Sequence, residues 1–221
     1  MNPRDYRAIA RVNLAGNWGN AILISFVAAL LGGLVTGTSF GLNINLDEGT
    51  LYQLPKFLLR YLMIMASISS ILGVVQFILG GVVRLGYVGC LLKQHDRREQ
   101  PELNDLFSQF HRFGDGFCLA LLQGLYTFLW SLLFVIPGII ATFRYAMAPF
   151  ILAENPGMTA SEAIAASKQM MEGHKMDLFL LELSFLGWSI LSALTLGIGS
   201  LWLNPYMNAA HAAFYRNISR Q

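Results

Sequence analysis

The sequence predicts an all-α fold: a polytopic membrane helical bundle of about six transmembrane helices, with amphipathic helices on its cytoplasmic side. Hydrophobic residues fill 55% of the 221 positions, charged residues fill 13%, and the mean hydropathy is +0.51. A soluble domain of this length needs more polar surface to cover its core. Several apolar runs reach the roughly 20 residues that cross a bilayer, and they lack the period of two that strands show. We therefore expect one integral membrane domain over residues 1–221.

The N-terminal segment, residues 1–15, is basic and amphipathic. Arg4, Arg7 and Arg11 recur at helical spacing, with apolar residues elsewhere around the helix. A helix of this kind lies on the anionic cytoplasmic leaflet of a membrane. The segment therefore predicts an interfacial helix, and the alternative is a frayed basic tail.

Residues 16–100 are expected to hold the first pair of helices. A span is predicted at 18–38, followed by a polar linker on the outside. The apolar run at 57–92 would be roughly 54 Å long as a straight helix, too long for one span and short for two. Two spans would place the basic stretch at 93–99 outside, against the positive-inside rule. We therefore predict one long helix, or one that is broken at Gly80–Gly81.

The middle of the chain predicts an interfacial helix at 101–113 and then a helical hairpin at 114–156. The interfacial helix carries an apolar stripe at helical spacing, formed by Leu103, Leu106, Phe107, Phe110 and Phe113. The hairpin consists of spans at 116–136 and 139–153, separated by Pro137–Gly138. Because proline cannot continue a helix and glycine tolerates unusual dihedral angles, this dipeptide predicts a tight reversal. Pro149 is expected to shorten or kink the second span.

The C-terminal third predicts a short cytoplasmic helix at 157–174 and a last helical pair at 175–221. Thr159 and Glu162 have the spacing of a capping box that opens the short helix. The spans of the last pair are predicted at 176–196 and 200–215.

The placing of basic residues predicts the orientation of the bundle. Only Lys56 and Arg60 fall in segments assigned to the outside. Eleven fall in segments assigned to the inside: Arg4, Arg7, Arg11, Lys93, Arg97, Arg98, Arg112, Lys168, Lys175, Arg216 and Arg220. By the positive-inside rule, both termini are expected in the cytoplasm.

Four stretches of the C-terminal half carry a family resemblance: LWSLLFVIPGII, YAMAPFILAENPGMTASEAIAASKQMMEGHK, FLLELSFLGW and LTLGIGSLWLNPYMNAAHAAFY. Together they resemble the bacterial integral membrane family catalogued as domain-of-unknown-function family 975. The resemblance covers about 125–216, and GNW at 16–18 extends it to the start. It implies a multi-pass protein of the bacterial cytoplasmic (plasma) membrane. It implies no activity, since the family has no established catalytic or ligand residues.

Five polar or ionisable residues inside the predicted spans are the candidate ligand-binding residues: Arg84, Arg144, Glu182, Asn208 and His211. Leaving such groups unpaired in hydrocarbon costs several kcal/mol, so they mark functional sites by default. At about 1.5 Å per residue, each lies roughly 8–14 Å from the cytoplasmic end of its helix. We therefore expect them in one layer of the inner leaflet.

Three interpretations of this layer stay open at the level of sequence. In the first, Arg144 and Glu182 form an internal ion pair, Arg84 snorkels to the interface, and Asn208 and His211 bond across helices. In the second, the two arginines line a cytoplasm-facing cavity, whose surplus positive charge suits the phosphate or carboxylate head group of an anionic lipid or amphiphile. In the third, Glu182 and His211 form a proton or ion pathway.

Other function classes find little support in the sequence. It contains no metal-binding or nucleophile motif and no phosphate loop, so we expect no catalytic residue, metal or cofactor. The net charge of +2 gives no support for a nucleic-acid partner. We expect a non-enzymatic module that binds or moves an anionic lipid or amphiphile at the inner leaflet. The alternative is a membrane scaffold or accessory subunit, which would hold a membrane protein partner through its amphipathic helices.

Overall fold

A computed structural model of the chain describes residues 2–32, 56–96, 101–195 and 197–220, and every regular element within these ranges is helical. The elements in chain order are α1 (Pro3–Leu14), α2 (Trp18–Gly32), α3 (Lys56–Asp96), α4 (Leu103–Phe107), a 3-10 turn (Phe110–Arg112), α5 (Phe113–Leu133), α6 (Val135–Tyr145), α7 (Ala148–Glu154), α8 (Ala160–Met170), α9 (Lys175–Leu183), α10 (Leu186–Leu194) and α11 (Ser200–Ile218). The all-α class is confirmed.

The described residues contain fewer membrane-crossing helices than the six predicted. Three stretches are long and apolar enough to cross a membrane: Gly73–Asp96, Ile136–Glu154 and Lys175–Leu194. A fourth is reached if α1 and α2, bent by 104° at their junction, count as one span. The prediction of about six spans is therefore wrong over the part of the chain that is described.

The shortfall has local causes. The predicted span at 18–38 is described only as far as Gly32, where α2 ends, and its remainder and the linker after it lie outside the described residues. The predicted span at 200–215 lies within α11, which carries Asn204, Asn208 and His211. The polar groups lower the hydropathy of α11, and protein neighbours cover most of its apolar side chains.

Helix α3 is the axis around which the other helices pack. It runs unbroken for 41 residues, about 62 Å at 1.5 Å per residue, so of the two predicted alternatives the one long helix forms and the break at Gly80–Gly81 does not. Glycine serves here for close helix contact. A Cβ atom on Gly81 would lie 2.2 Å from the carbonyl oxygen of Gly116 in α5, and one on Gly86 would lie 2.0 Å from that of Leu106 in α4. The absence of side chains lets these backbones touch.

The reversal between α5 and α6 lies three residues before the predicted Pro137–Gly138. It is made by the single residue Phe134, whose φ of −162° and ψ of 153° are extended. Pro137 lies in the first turn of α6, where a missing N–H leaves no intrahelical bond unmade. Gly138 permits the tight packing of the two helices, because a Cβ atom there would lie 2.2 Å from Oγ of Ser131.

The predicted interfacial helices turn their apolar faces toward the protein. In α1, Tyr6, Ala10 and Leu14 are buried, and the Tyr6 ring packs edge-on against Phe214 of α11 with centroids 5.4 Å apart. The segment at 101–113 is shorter and more broken than predicted, since only α4 and a 3-10 turn form there. Of its stripe, Leu106 is fully buried against α3 while Phe107 stays exposed.

The capping box that opens α8 is confirmed. The backbone N–H of Thr159 donates to Oε2 of Glu162 at 2.8 Å, and the N–H of Glu162 donates back to Oγ1 of Thr159 at 3.4 Å. The Thr159 hydroxyl also donates to Oε2 of Glu162 at 2.8 Å, and the bonds that the carboxylate accepts from the backbone and then from the side chain of Thr159 lower the pKa of Glu162. The box fixes the point at which α8 turns back across the bundle.

The glycine contacts of α3 yield a stability prediction. Gly81→Ala and Gly86→Ala should each lower the free energy of unfolding by about 1–3 kcal/mol, because the added methyl group overlaps a backbone carbonyl. Gly89→Ala, on the same helix with open space around its Cβ position, is the matched control and should be neutral or slightly stabilising. Thermal unfolding in detergent measures all three. Equal melting temperatures for the Gly86 and Gly89 variants would contradict the packing account.

Candidate functional site

Arg216 joins three helices at one end of the bundle and gives a common reference for depth. Its Nη2 atom donates to Oδ2 of Asp96, the last residue of α3, at 2.7 Å, and its Nη1 atom donates to Oε1 of Glu154, the last residue of α7. The hydroxyl of Tyr215 donates to the other oxygen of Glu154. We call Arg216, Asp96, Glu154 and Tyr215 the terminal clamp. It shows that α3 and α7 end at the same level.

Measured from the terminal clamp, the two predicted arginines lie at similar depth. Arg84 precedes Asp96 by twelve residues and Arg144 precedes Glu154 by ten. At 1.5 Å per residue these separations are roughly 18 Å and 15 Å. Arg84 falls within the candidate span Gly73–Asp96, and Arg144 falls within Ile136–Glu154. The structure thus keeps both charges inside apolar segments, as the sequence indicates.

Arg84 is exposed although its neighbours Val83 and Leu85 are fully buried in the helix packing. Among the described residues its guanidinium group has no hydrogen bond and no ion pair. Its charge therefore faces the surroundings of the bundle. A hydrated or anionic partner is needed there, since a guanidinium group stays protonated in proteins.

Arg144 lies half-buried at the end of α6, and its guanidinium also has no partner in the described part of the chain. Its Nε atom is buried without a hydrogen bond. The predicted ion pair with Glu182 does not form. Glu182 instead faces His211, with Nε2 of the histidine 2.9 Å from Oε1 of the carboxylate, at an angle poor for a hydrogen bond. Arg144 is thereby left as a positive charge that no described carboxylate compensates.

Asn208 takes part in the packing of α11 and not in a charged layer. Its side-chain amide donates to the carbonyl oxygen of Asn204 at 2.8 Å, within the same helix. It lies close to the Tyr87 hydroxyl on α3, but among the described residues no hydrogen bond of good geometry joins it to another helix. The predicted bond of Asn208 across helices is therefore not seen.

Two pockets stand out among the described residues, and neither includes any of the five predicted residues. The first, about 390 Å³, lies between α1 and the junction of α9 and α10, and is lined by Asn2, Pro3, Arg4, Arg7 and Ser184. There Nη1 of Arg7 donates to the carbonyl oxygen of Ser184 at 3.1 Å. The second is much smaller and lies beside Tyr87 and Pro205. Neither of these two pockets therefore offers a ligand access to Arg84 or Arg144.

The junction of α6 and α7 forms a second centre of polar contacts. The helix breaks after Tyr145, ahead of Pro149, as the proline predicts. Breaking a helix frees carbonyl groups that must find new donors. The carbonyl oxygen of Arg144 accepts from Oγ of Ser167 at 3.0 Å, and that of Tyr145 accepts from Nε2 of Gln123 at 2.6 Å. The freed carbonyls of the junction are thus satisfied by α8 and α5.

Lys168, next to Ser167, is a site residue that sequence reasoning missed. Its Nζ atom lies 5.5 Å from the ring centroid of Tyr126 and 5.6 Å from that of Tyr145. The two rings are 5.9 Å apart. No carboxylate of the described residues pairs with this ammonium group. From sequence it was counted only as a cytoplasmic charge, because the aromatic pair comes from two separate helices.

Comparison with known proteins assigns the chain to a family. The family described as "Protein of unknown function (DUF975)" matches residues 1–139 and 131–221. The chain belongs to this family. No curated protein and no solved structure matches the chain. The family resemblance is thereby confirmed over the whole length, and the description of the family assigns no activity.

The arrangement of cations in the described part of the chain can bind an anion. Within the described ranges, no three His, Cys, Asp or Glu side chains are grouped as metal ligands. Three cations without a carboxylate partner, Arg84, Arg144 and Lys168, lie in or beside the apolar segments. Arginine offers a planar fork of donors to phosphate or carboxylate, and lysine offers a compact charge.

The terminal clamp yields a prediction about the stability of the protein. Arg216→Gln should lower the free energy of unfolding by about 2–3 kcal/mol, because it removes one partner of two half-buried ion pairs. Arg220→Gln, on the exposed last turn, is the control and should change stability by less than about 0.5 kcal/mol. Thermal unfolding in detergent measures the difference. If the two variants melted together, the clamp would not hold α3, α7 and α11 in register.

Proposed function

We propose that the protein is a non-enzymatic component of the bacterial cytoplasmic membrane that binds or moves an anionic lipid or amphiphile at the inner leaflet. The observation that carries this proposal is the pair Arg84 and Arg144. Each lies inside an apolar segment at similar depth, and neither has an acidic partner among the described residues. The anion that compensates them is, in this proposal, a bound ligand.

Energetics favour a lipid head group as that anion. An isolated charge in hydrocarbon costs several kcal/mol, and water defects or snorkelling reduce this cost only in part. An anionic head group drawn below its usual level would neutralise the guanidinium group and form bidentate hydrogen bonds with it. Because Arg84 is exposed at the side of α3, the lipid would enter sideways from the leaflet.

The alternative role, a scaffold that acts through its amphipathic helices, finds less support. Tyr6 of α1 and Ile164 of α8 are buried within the chain itself. A helix that uses its apolar face for its own fold has little left for a partner. Helix α4 buries Leu106 but leaves Leu103 and Phe107 exposed, so it still offers an apolar surface to a partner.

The proposed orientation places the terminal clamp and both termini in the cytoplasm. A green fluorescent protein, which folds only in the cytoplasm after insertion by the general secretory route, should fluoresce at either end of the chain. Alkaline phosphatase, active only outside, should be active when inserted in the linker at 39–55. Phosphatase activity at the C-terminus would contradict the orientation and move the arginine layer to the outer leaflet.

Lipid retention tests the proposed binding. The full-length protein, extracted gently and analysed by native mass spectrometry, should retain phosphatidylglycerol in preference to phosphatidylcholine. Arg84→Gln and Arg144→Gln should each weaken this retention roughly tenfold, the loss expected for one charge-assisted contact. The glutamine keeps a polar head but removes the charge.

Arg60→Gln is the matched control, because Arg60 is exposed and lies on the same helix as Arg84, outside the candidate span. It should retain lipid like the wild type. If the wild type showed no preference for the anionic lipid, or if all three variants behaved alike, the proposed function would be overturned.

A further inference from the structure

The junction between α6 and α7 leaves two cations without a carboxylate partner among the described residues. Ser167 and Gln123 donate to the carbonyl oxygens of Arg144 and Tyr145. Neither Arg144 nor Lys168 donates to these carbonyls or to another acceptor of the described chain. The donors of both side chains therefore remain available for a ligand.

The placing of Lys168 fixes its ammonium group at the junction. Tyr126 of α5 and Tyr145 of α6 present their rings to Nζ at 5.5 and 5.6 Å. Contacts of this kind hold a lysine in place without neutralising its charge. The neighbouring Ser167 hydroxyl bonds the backbone of Arg144 at 3.0 Å, so the segment that carries Lys168 is tied directly to the residue that carries the second cation.

We infer that Arg144 and Lys168 form a binding site for a phosphoryl group at the α6–α7 junction, with Tyr126 and Tyr145 as positioning residues for the lysine. This inference rests on the proposed function, and it narrows the ligand from any anionic amphiphile to one with a phosphate ester. A phosphoryl group has several acceptor oxygens and accepts from a guanidinium fork and an ammonium group together. A carboxylate can accept from both groups as well, but its acceptor sites lie in one plane, whereas those of a phosphoryl group point in several directions toward donors from two helices.

The partial burial of Lys168 distinguishes this site from a structural cation–π contact. The side chain of Lys168 is half-buried, and it gives up water for two rings that offer less than an ion pair. Such a contact contributes about 0.5–2 kcal/mol. A bound phosphate would add the missing counter-charge and complete the solvation of the ammonium group.

Binding to lipid nanodiscs of phosphatidylcholine with one-tenth phosphatidylglycerol tests the inference. The full chain should enrich phosphatidylglycerol around itself, measured by native mass spectrometry. Lys168→Gln should reduce the enrichment roughly tenfold, and Lys168→Arg should restore most of it. Lys175→Gln, which alters a half-buried lysine at the start of α9, is the control and should leave the enrichment unchanged.

Two further measurements complete the test: a second variant and a titration with phosphate. Tyr126→Leu removes one ring and no charge, so it should weaken enrichment severalfold if the rings position the lysine, and it keeps the inference testable should Lys168→Gln fail to fold. Inorganic phosphate, titrated against the protein in lipid-free detergent, distinguishes the source of the phosphoryl group. Binding that depends on Lys168 identifies a soluble phosphate ligand, whereas enrichment in nanodiscs alone identifies a lipid head group.

Different results would overturn the inference and the proposed function. If a folded Lys168→Gln protein enriched phosphatidylglycerol and bound phosphate like the wild type, while Arg84→Gln lost its lipid, the junction site would be overturned and the proposed function would stand. If the wild type enriched no anionic lipid and bound no phosphate, both would be overturned.

Discussion

The charge of a guanidinium group persists wherever a protein places it, and this persistence constrains the whole molecule. A carboxylate or an amine in a membrane span escapes its desolvation cost by changing protonation state, but arginine does not. It must find water, a counter-charge or the interface. Arg84 and Arg144 find no counter-charge in the described chain. Glu182, which the sequence offers as a partner for Arg144, instead lies beside His211, with Nε2 and Oε1 2.9 Å apart.

Neither of these two guanidinium groups donates to an acceptor of the described chain. At the α6–α7 junction, side chains from α5 and α8 occupy the freed carbonyls before Arg144 can. The α9–α10 junction shows the opposite arrangement. There Arg7 itself donates to the freed carbonyl of Ser184. The two broken segments therefore differ in their hydrogen bonding. Arg7 donates to a freed carbonyl at the α9–α10 junction, whereas the guanidinium group of Arg144 does not donate at the α6–α7 junction.

Much of this organisation is predictable from sequence, and the remainder fails for identifiable reasons. The helical class and the intramembrane arginines could be predicted because long apolar runs with single charges have few other meanings. Glycine was less informative. At Gly80–Gly81 it indicates a kink as well as a close contact, and only the neighbouring backbone of α5 decides between them. The predicted reversal at Pro137–Gly138 was misplaced for a similar reason, since Phe134, a residue in extended conformation, already makes the turn.

The contacts of the site depend on which helices are neighbours, and no local pattern encodes this. The Glu182–His211 contact requires α9 to lie beside α11. The position of Lys168 requires Tyr126 and Tyr145 to converge from two helices. The number of spans could not be predicted for a related reason. Helix α11 carries more polar groups than a typical span, and its neighbours in the bundle cover most of its apolar side chains.

The most direct test is an experimental structure of the full chain in nanodiscs that contain phosphatidylglycerol. The account predicts head-group density with phosphate oxygens about 2.8 Å from the guanidinium nitrogens of both Arg84 and Arg144. Guanidinium groups paired with protein carboxylates, or facing only acyl chains and water with no head group beside them, would contradict it.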